Sequence, residues 1–264
     1  PNGDFQVIST DHLRGFIADP GLMTRIAAVH ALGDVWAMGA QPQVGLASII
    51  LPQMSADLQR RTLLEITKVA TEVLNAAGAQ LVGGHTTMGA ELTIGFTVTG
   101  TKNSMPLTIA GAKHGDALIL TRPIGSGVIL AADMLGQAEG HNVAATLAIM
   151  GQLQDREAVV LSTVAHAMTD VTGFGLAGHV HAMCQASGLD AHLFQDAIPT
   201  YPGARALSDA GVSSTLMPEN YTDAPVNGLH DALLYDPQTA GGLLASVPKI
   251  QSAAVIEALG ALGC

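Results

Sequence analysis

The chain has 264 residues, of which 48% are hydrophobic and only 12% are charged. This balance excludes an intrinsically disordered protein, and the length suits one large domain or two of ordinary size. The formal net charge of -11 argues against a nucleic-acid binder that relies on phosphate contacts and against adhesion to an anionic membrane surface.

Hydrophobic patterning predicts alternating strands and helices in the first hundred residues. Asp19 followed by Pro20 marks a helix start, because Asp accepts hydrogen bonds from first-turn N–H groups and Pro fits the first helical position. We expect Gly39 to end this helix, Ser55 to cap the next, and Gly78 to follow that one. The predicted strands are 5–10, 43–51, 80–82 and 91–101.

A connecting segment is predicted near residues 102–113, and a second series of elements follows it. We expect strands at 116–121, 166–169 and 243–247, a single helical stretch over 143–164, and a final helix from about Lys249. The polar stretch 199–228 is expected to form loops around one short helix. These patterns indicate an α/β or α+β protein in two halves of roughly 100 and 150 residues.

One motif bears on whether the chain has a dinucleotide-binding fold. Residues 173–178 fit the GxGxxG pattern at the start of a predicted helix. Asp170 would lie at the pyrophosphate position and repel it, and Asp190 begins the next strand rather than ending it. Glycines that allow close packing of a strand against a helix therefore explain the motif better. The sequence contains no Walker A, HExxH or GxSxG motif.

Three carboxylates suggest a metal site. Asp11 follows a predicted strand, Asp34 lies inside an apolar helix, and Asp170 lies between a strand and a glycine turn. Buried carboxylates are costly unless they are paired or bind a metal. Asp34 could instead pair with His30 at i, i+4, and Asp11 and Asp170 could be cap or turn residues. Together they indicate Mg²⁺ ions that in turn bind phosphates, so that cations would accompany the nucleotide to this acidic chain.

Two glycine-containing segments complement that site. Residues 83–86 read Gly-Gly-His-Thr, in which the glycines would let backbone N–H groups approach a phosphate and His and Thr would add donors. Residues 236–242 read Asp-Pro-Gln-Thr-Ala-Gly-Gly and likewise combine polar side chains with two glycines that could approach a phosphate. The alternatives are a tight turn with a capping Thr for the first segment and helix initiation by an Asp N-cap for the second.

Several stretches together resemble selenophosphate synthetase (selenide, water dikinase). This family belongs to the superfamily of aminoimidazole ribonucleotide synthetase, thiamine-monophosphate kinase and HypE. The resemblance covers nearly the whole chain, and the Met168–Leu176 and Asp236–Leu244 stretches are the specific ones. The stretches that carry it are 9–11, 25–28, 34–39, 83–86, 121–125, 168–176 and 236–244.

The resemblance implies an α+β, PurM-like architecture of two domains. Residues 1–102 would form an ATP-binding domain whose sheet joins that of a partner to make a homodimer, and residues 113–264 an α/β sandwich domain that closes over the nucleotide. The implied reaction converts ATP and selenide to selenophosphate, AMP and phosphate in the cytoplasm. Nucleic acid and membrane are not expected partners.

The resemblance also implies site residues. Asp34 and Asp170 match the Mg²⁺ ligands of the family. The matching ATP contacts are Asp11, Asp34, Gly84, His85 and Thr86. The reactive Cys and a nearby Lys of the family are expected upstream of Pro1, so no catalytic residue is assigned within the chain.

The match has departures that bear on function. Both ends are expected to be truncated relative to the family, and the abrupt start is compatible with fusion behind a flavin-dependent oxidoreductase domain. Two alternatives therefore stay open: a related Mg²⁺–ATP kinase or synthetase, and a non-catalytic nucleotide-binding module of a larger protein. The two cysteines, Cys184 and Cys264, cannot make a disulfide scaffold and indicate a reducing cytosol.

Overall fold

A computed structural model describes residues 4–224, 226–228 and 231–264. The chain divides into two compact units. The first comprises the described part of Pro1–Pro106 together with Gly151–Asp155, and the second comprises Leu107–Met150 with the described part of Arg156–Cys264. Each unit contains its own sheet, which agrees with the α+β class and the two-domain architecture expected from the sequence.

The first unit is a four-stranded sheet covered on one face by two helices. Its elements are β1 (Phe5–Arg14), α1 (Pro20–Ala37), β2 (Gln41–Pro52), α2 (Ala56–Ala76), β3 (Gln80–Gly89) and β4 (Thr93–Lys102). The strand order is β1-β4-β2-β3, so β1 and β3 are the two edges. The β1–β4 and β4–β2 pairs are antiparallel, whereas β2 and β3 run parallel.

Helix α1 forms the centre of this unit because it is apolar on nearly every side. It contacts both the sheet and α2, and Trp36 is only 2% exposed. An all-round hydrophobic helix is stable only when it is buried in this way. Its predicted start is confirmed, since the Asp19 carboxylate accepts a hydrogen bond from the Leu22 N–H at 2.8 Å and Pro20 follows. Gly39 lies just beyond its end with a φ of 64°.

The second unit is built on a three-stranded antiparallel sheet of order β5-β7-β6. Its core includes Ile129, Leu176, Leu233, Tyr235 and Leu244, all of which are nearly fully buried. The elements are β5 (Asp116–Leu120), α3 (Ser126–Met134), α4 (Gly140–Met150), α5 (Asp155–Ser162), β6 (Ala167–Asp170), α6 (Gly175–Ser187), α7 (Ala204–Asp209), α8 (Met217–Asp223), β7 (Leu243–Pro248) and α9 (Lys249–Leu262).

Several local predictions were wrong. The helix expected over 143–164 is two helices, α4 and α5, separated by a turn that begins at Gly151. The 199–228 stretch contains two short helices, α7 and α8, rather than one. The strand predicted at 80–82 continues to Gly89, so residues 83–86 lie in a strand and not in a tight turn. In the described part of the chain, no helix is both long and apolar enough to cross a membrane.

Candidate functional site

The first unit brings two of the predicted carboxylates together. Asp11 lies within β1, three residues before the strand ends rather than at its end, and Asp34 lies on α1, which packs against β1. The Ser9 hydroxyl donates a hydrogen bond to Asp34 Oδ2. His30 Nε2 lies 3.7 Å from Asp11 Oδ2, so its close carboxylate partner is on the strand. Alternation along β1 places Ser9 and Asp11 on the same face, toward the helix.

The electrostatics of this cluster favour a cation. Burial raises the pKa of Asp11, and the neighbouring Asp34 raises it further, while His30 acts in the opposite direction. Burial also lowers the pKa of His30, against the attraction of the two carboxylates. His30 therefore favours its neutral form and leaves the repulsion between Asp11 and Asp34 without a strong positive counter-charge. A divalent cation bound by both carboxylates would relieve that repulsion.

The Gly-Gly-His-Thr segment lies at the other edge of the same sheet. Asp11 pairs with Phe96, Phe96 with Ala47, and Ala47 with Gly84, so Gly84 is three strands away in the same row. Three strand spacings correspond to about 14 Å. His85, next along β3, points to the opposite face. The structure therefore separates these residues from Asp11 and Asp34 within one chain.

The reason for glycine at position 84 is packing between strands. A Cβ on Gly84 would meet the Ala47 carbonyl oxygen at 2.1 Å, whereas a Cβ on Gly83 would find only Leu46 Cδ2 at 3.5 Å. Close approach of two backbones thus requires the second glycine but not the first. His85 and Thr86 are exposed on this edge strand and are accessible to a ligand.

The third predicted carboxylate belongs to the second unit. Asp170 is the last residue of β6 and is 6% exposed. In the loop that follows Asp170, the Thr172 N–H donates a hydrogen bond to Nε2 of His179 on α6 at 3.0 Å. This contact ties the loop to the helix. Gly175 begins α6 with a φ of 70°, and a Cβ there would meet the Tyr235 backbone at 2.8 Å. Close packing therefore explains the glycine at 175, whereas a Cβ on Gly173 would find nothing within 4 Å.

The Asp-Pro-Gln-Thr segment caps a helix that is distant in sequence. Asp236 Oδ2 accepts a hydrogen bond from the Gly127 N–H at 2.9 Å. Gln238 Oε1 accepts from the Gly125 N–H at 3.1 Å, the Ser126 N–H at 3.2 Å and the Ser126 hydroxyl at 3.0 Å. These two side chains satisfy the N–H groups at the start of α3, where no local side chain caps the helix. The segment is an N-cap, as the alternative reading had it, but for α3 rather than for a following helix.

Asp236 is also buried more deeply than the other predicted site residues. It is 0% exposed, and no described residue forms a hydrogen bond with its Oδ1 atom. Burial raises its pKa to about 7, although hydrogen bonds from the Val128 and Gly127 N–H groups and from Gln238 lower it in part. The N–H groups at the start of α3 already donate to the side chains of Asp236 and Gln238. This helix N-terminus is therefore not free to bind a phosphate.

The carboxylates of Asp11 and Asp34 suit Mg²⁺ that is also bound by substrate phosphates better than a metal ion held by protein ligands alone. Among the described residues, no group of three or more His, Cys, Asp or Glu is arranged to hold a metal ion. Magnesium is commonly bound by one or two carboxylates together with substrate phosphates, and the Asp11–Asp34 pair supplies that number of oxygen ligands. Sequence reasoning missed Ser9 as a donor to Asp34 and missed Gln238 as a helix cap, because both contacts join segments that are far apart in sequence.

Comparison with known proteins gives one family across the chain. The family model "AIR synthase related protein, N-terminal domain" matches residues 1–101, and its C-terminal counterpart matches residues 113–264. A selenide, water dikinase of Bdellovibrio bacteriovorus is 34% identical over 270 residues, which cover 98% of this chain and 77% of that protein. The match thus extends over nearly the whole chain and about three quarters of that relative.

Solved structures show the same fold at lower identity. Thiamine-monophosphate kinase from Stenotrophomonas maltophilia has a TM-score of 0.76 at 19% identity, and the match covers 99% of this chain and 80% of that one. The hydrogenase maturation protein HypE, crystallised in complex with ATP, has a TM-score of 0.71 at 20% identity and 96% and 72% coverage. These matches establish the PurM-like architecture expected from the sequence.

Proposed function

The chain belongs to the selenide, water dikinase family, and we propose that it synthesises selenophosphate from selenide and ATP with release of AMP and phosphate. The observation that carries the proposal is identity of 31–37% to eight selenide, water dikinases along almost the whole chain. We place the reaction in the cytoplasm. We also propose a division into an ATP-binding domain, 1–102, and a second domain, 113–264.

We infer the residues that bind ATP and Mg²⁺ from the family resemblance together with the geometry of the site. We assign metal binding to Asp34 and Asp170, and nucleotide contacts to Asp11, Asp34, Gly84, His85 and Thr86. The proximity of the Asp11 and Asp34 carboxylates supports a cation at Asp34, and the accessible edge strand supports the contacts of His85 and Thr86. Bound Mg²⁺ would neutralise phosphate charge, while Ser9 orients Asp34 through its hydrogen bond.

The position of β3 supports a homodimer. Asp11 and His85 lie on opposite edges and opposite faces of one sheet. A single nucleotide bound to one chain would have to reach from one edge and face of this sheet to the other in order to contact both residues. A second copy that places its β3 beside β1 of the first would supply the missing contacts. The exposed apolar side chains of Ile8 and Leu46 lie on the sheet face without helices and are suited to such an interface.

Product analysis tests the proposed reaction. The full natural protein that contains this chain should be supplied with Mg²⁺, ATP and selenide without oxygen, and its products followed by phosphorus NMR. Selenophosphate together with AMP is the expected result. ADP alone would instead favour a related kinase, and ATP binding without turnover would favour a nucleotide-binding module.

The metal assignment has its own test. Asp170→Asn removes a charged ligand and should abolish Mg²⁺-dependent ATP binding in calorimetry. Asp190→Asn, on an exposed loop, is a matched control that should bind ATP as the wild type does. Unchanged Mg²⁺-dependent binding in the Asp170 variant would remove that residue from the site.

A further inference from the structure

The second unit contains a series of hydrogen-bonded polar side chains that includes none of the residues assigned above to ATP or Mg²⁺. Lys113 Nζ lies 3.0 Å from His166 Nε2, and His166 Nδ1 lies 2.8 Å from Asp116 Oδ2. The Ser246 hydroxyl donates to the same carboxylate oxygen at 2.7 Å. The arrangement orders an amine, an imidazole and a carboxylate in hydrogen-bond contact, as in sites where a base activates a nucleophile.

The hydrogen-bond partners of the imidazole favour one of its two tautomers. The Lys113 ammonium has only donors, so Nε2 of His166 must accept and carry no proton. In that tautomer the ring proton lies on Nδ1 and is donated to Asp116 Oδ2. Burial alone would raise the pKa of Asp116, but hydrogen bonds from His166, from Ser246 and from the Lys113 N–H outweigh burial and hold that pKa below its usual value.

The base is fixed on rigid structure, whereas the amine is accessible. Asp116 begins β5, His166 immediately precedes β6 and donates its N–H to the Ser246 carbonyl at 2.8 Å, and Ser246 lies in β7. The Asp116 side chain is only 9% exposed and that of His166 is 24% exposed. Lys113 lies in the exposed segment before β5, so a small molecule can reach its amine.

Lys68 and Lys102 have different surroundings from Lys113. The sequence contains four lysines, Lys68, Lys102, Lys113 and Lys249. The Lys68 side chain is 76% exposed, and its Nζ lies 3.9 Å from a Glu72 carboxylate oxygen, which gives it a carboxylate partner. Lys102 donates to the Met38 carbonyl. Lys68 therefore serves as an internal reference for an exposed amine.

We propose that Lys113 is a preferred site of acylation by small activated acyl donors, with His166 as its intramolecular base and Asp116 as the residue that orients that base. The fraction of Lys113 with a neutral amine attacks the acyl carbonyl, and a nitrogen–carbon bond forms. The bond from the carbonyl carbon to the leaving group breaks, and the electron pair departs with phosphate or thiolate. The proton shed by the nitrogen passes to His166 Nε2 and then to solvent, so no oxidant or further reactant is required.

Site-resolved acetylation tests the proposal on the full chain. The protein is incubated with acetyl phosphate or with acetyl-CoA, and the acetylation rate at each of the four lysines is measured by mass spectrometry. Lys113 should react about tenfold faster than Lys68, since positioned general bases give at least this advantage. The two donors separate acyl phosphates from acyl thioesters as the source, and preference with either supports the proposal. Equal rates at Lys113 and Lys68 with both donors would overturn it.

Variants test the role of the base. His166→Gln and Asp116→Asn should each reduce the Lys113 rate to that of Lys68, while His114→Gln, which alters the exposed histidine next to Lys113, should leave it unchanged. The thermal melting of each variant, together with its acetylation rate at Lys68, shows whether the fold is retained. A Lys113 rate that stays high in folded His166→Gln protein would exclude His166 as the base, whereas the wild-type comparison remains decisive if a variant fails to fold.

Discussion

At the scale of single residues, repulsion between Asp11 and Asp34 can be measured directly. Asp34→Asn removes one negative charge, so the pKa of Asp11 should fall, because Asp34 now raises it. Carboxyl titration by NMR measures that pKa without any need for activity. The same variant should bind Mg²⁺–ATP at least about tenfold more weakly, as a ligand charge is lost.

A distant carboxylate provides the control for this prediction. Asp57 lies exposed in the first turn of α2, and Asp57→Asn should change neither the pKa of Asp11 nor nucleotide binding. An unchanged Asp11 titration in Asp34→Asn would show that Asp34 does not influence the pKa of Asp11. The cation site proposed from mutual repulsion would then lose its physical basis.

Asp236 leads to a prediction about stability and pH. Its pKa is raised from 3.8 to about 7, so between these values the folded protein holds a proton that the unfolded chain releases. The free energy of unfolding should therefore decrease as pH rises from about 4 to 7, by the order of 4 kcal/mol at most for this residue. Asp236→Asn should remove that contribution, which denaturant titrations at several pH values can measure.

The comparison must be made between variants, since other groups titrate in the same range. His30 has a lowered pKa, and its contribution to stability rises with pH, opposite in sign to that of Asp236. Subtracting the Asp236→Asn curve from the wild-type curve isolates the carboxylate. Parallel curves from pH 4 to 8 would mean that the hydrogen bonds at the α3 N-terminus fully compensate burial.

At the scale of elements, the two glycines of β3 make a matched pair. Gly84→Ala would put a Cβ 2.1 Å from the Ala47 carbonyl oxygen, so the β2–β3 pair would have to separate locally. We expect a loss of stability of about 2 kcal/mol or more, as for other overpacked sites. Gly83→Ala introduces only an ordinary contact with Leu46 at 3.5 Å and should be near neutral. Thermal melting of the two variants checks the contrast, and equal melting temperatures would contradict it.

The same strand shows where local sequence patterns stop being informative. Helix α1 could be predicted because its cap, its proline and its apolar spacing are all local. The end of β3 could not, because Gly83 and Gly84 have poor strand propensity and the pairing with β2 overrides it. The division between α4 and α5 was missed for the opposite reason, since the apolar pattern continues across the turn at Gly151.

At the scale of the whole molecule, sequence motifs predicted the family and the two-part architecture but not which residues meet. The contacts of Asp236 and Gln238 with the start of α3 join positions more than 100 residues apart. Sequence reasoning singled out Asp11 and Asp34, which the structure brings together, but their relation to residues 84–86 required the strand order. Only the order β1-β4-β2-β3 reveals that the predicted nucleotide contacts lie at two edges of one sheet.

That strand order leads to a prediction about mixed dimers. If Asp34 of one copy and His85 of another serve the same nucleotide, Asp34→Asn and His85→Ala homodimers should both be inactive. A heterodimer of the two variants would contain one site with both native residues, and should recover about half of the wild-type activity. Co-expression with two affinity tags isolates the heterodimer, and light scattering at micromolar concentration verifies its mass. An inactive heterodimer beside an active wild type would place both residues in a site within one chain, whereas an inactive wild type would count against the proposed reaction itself.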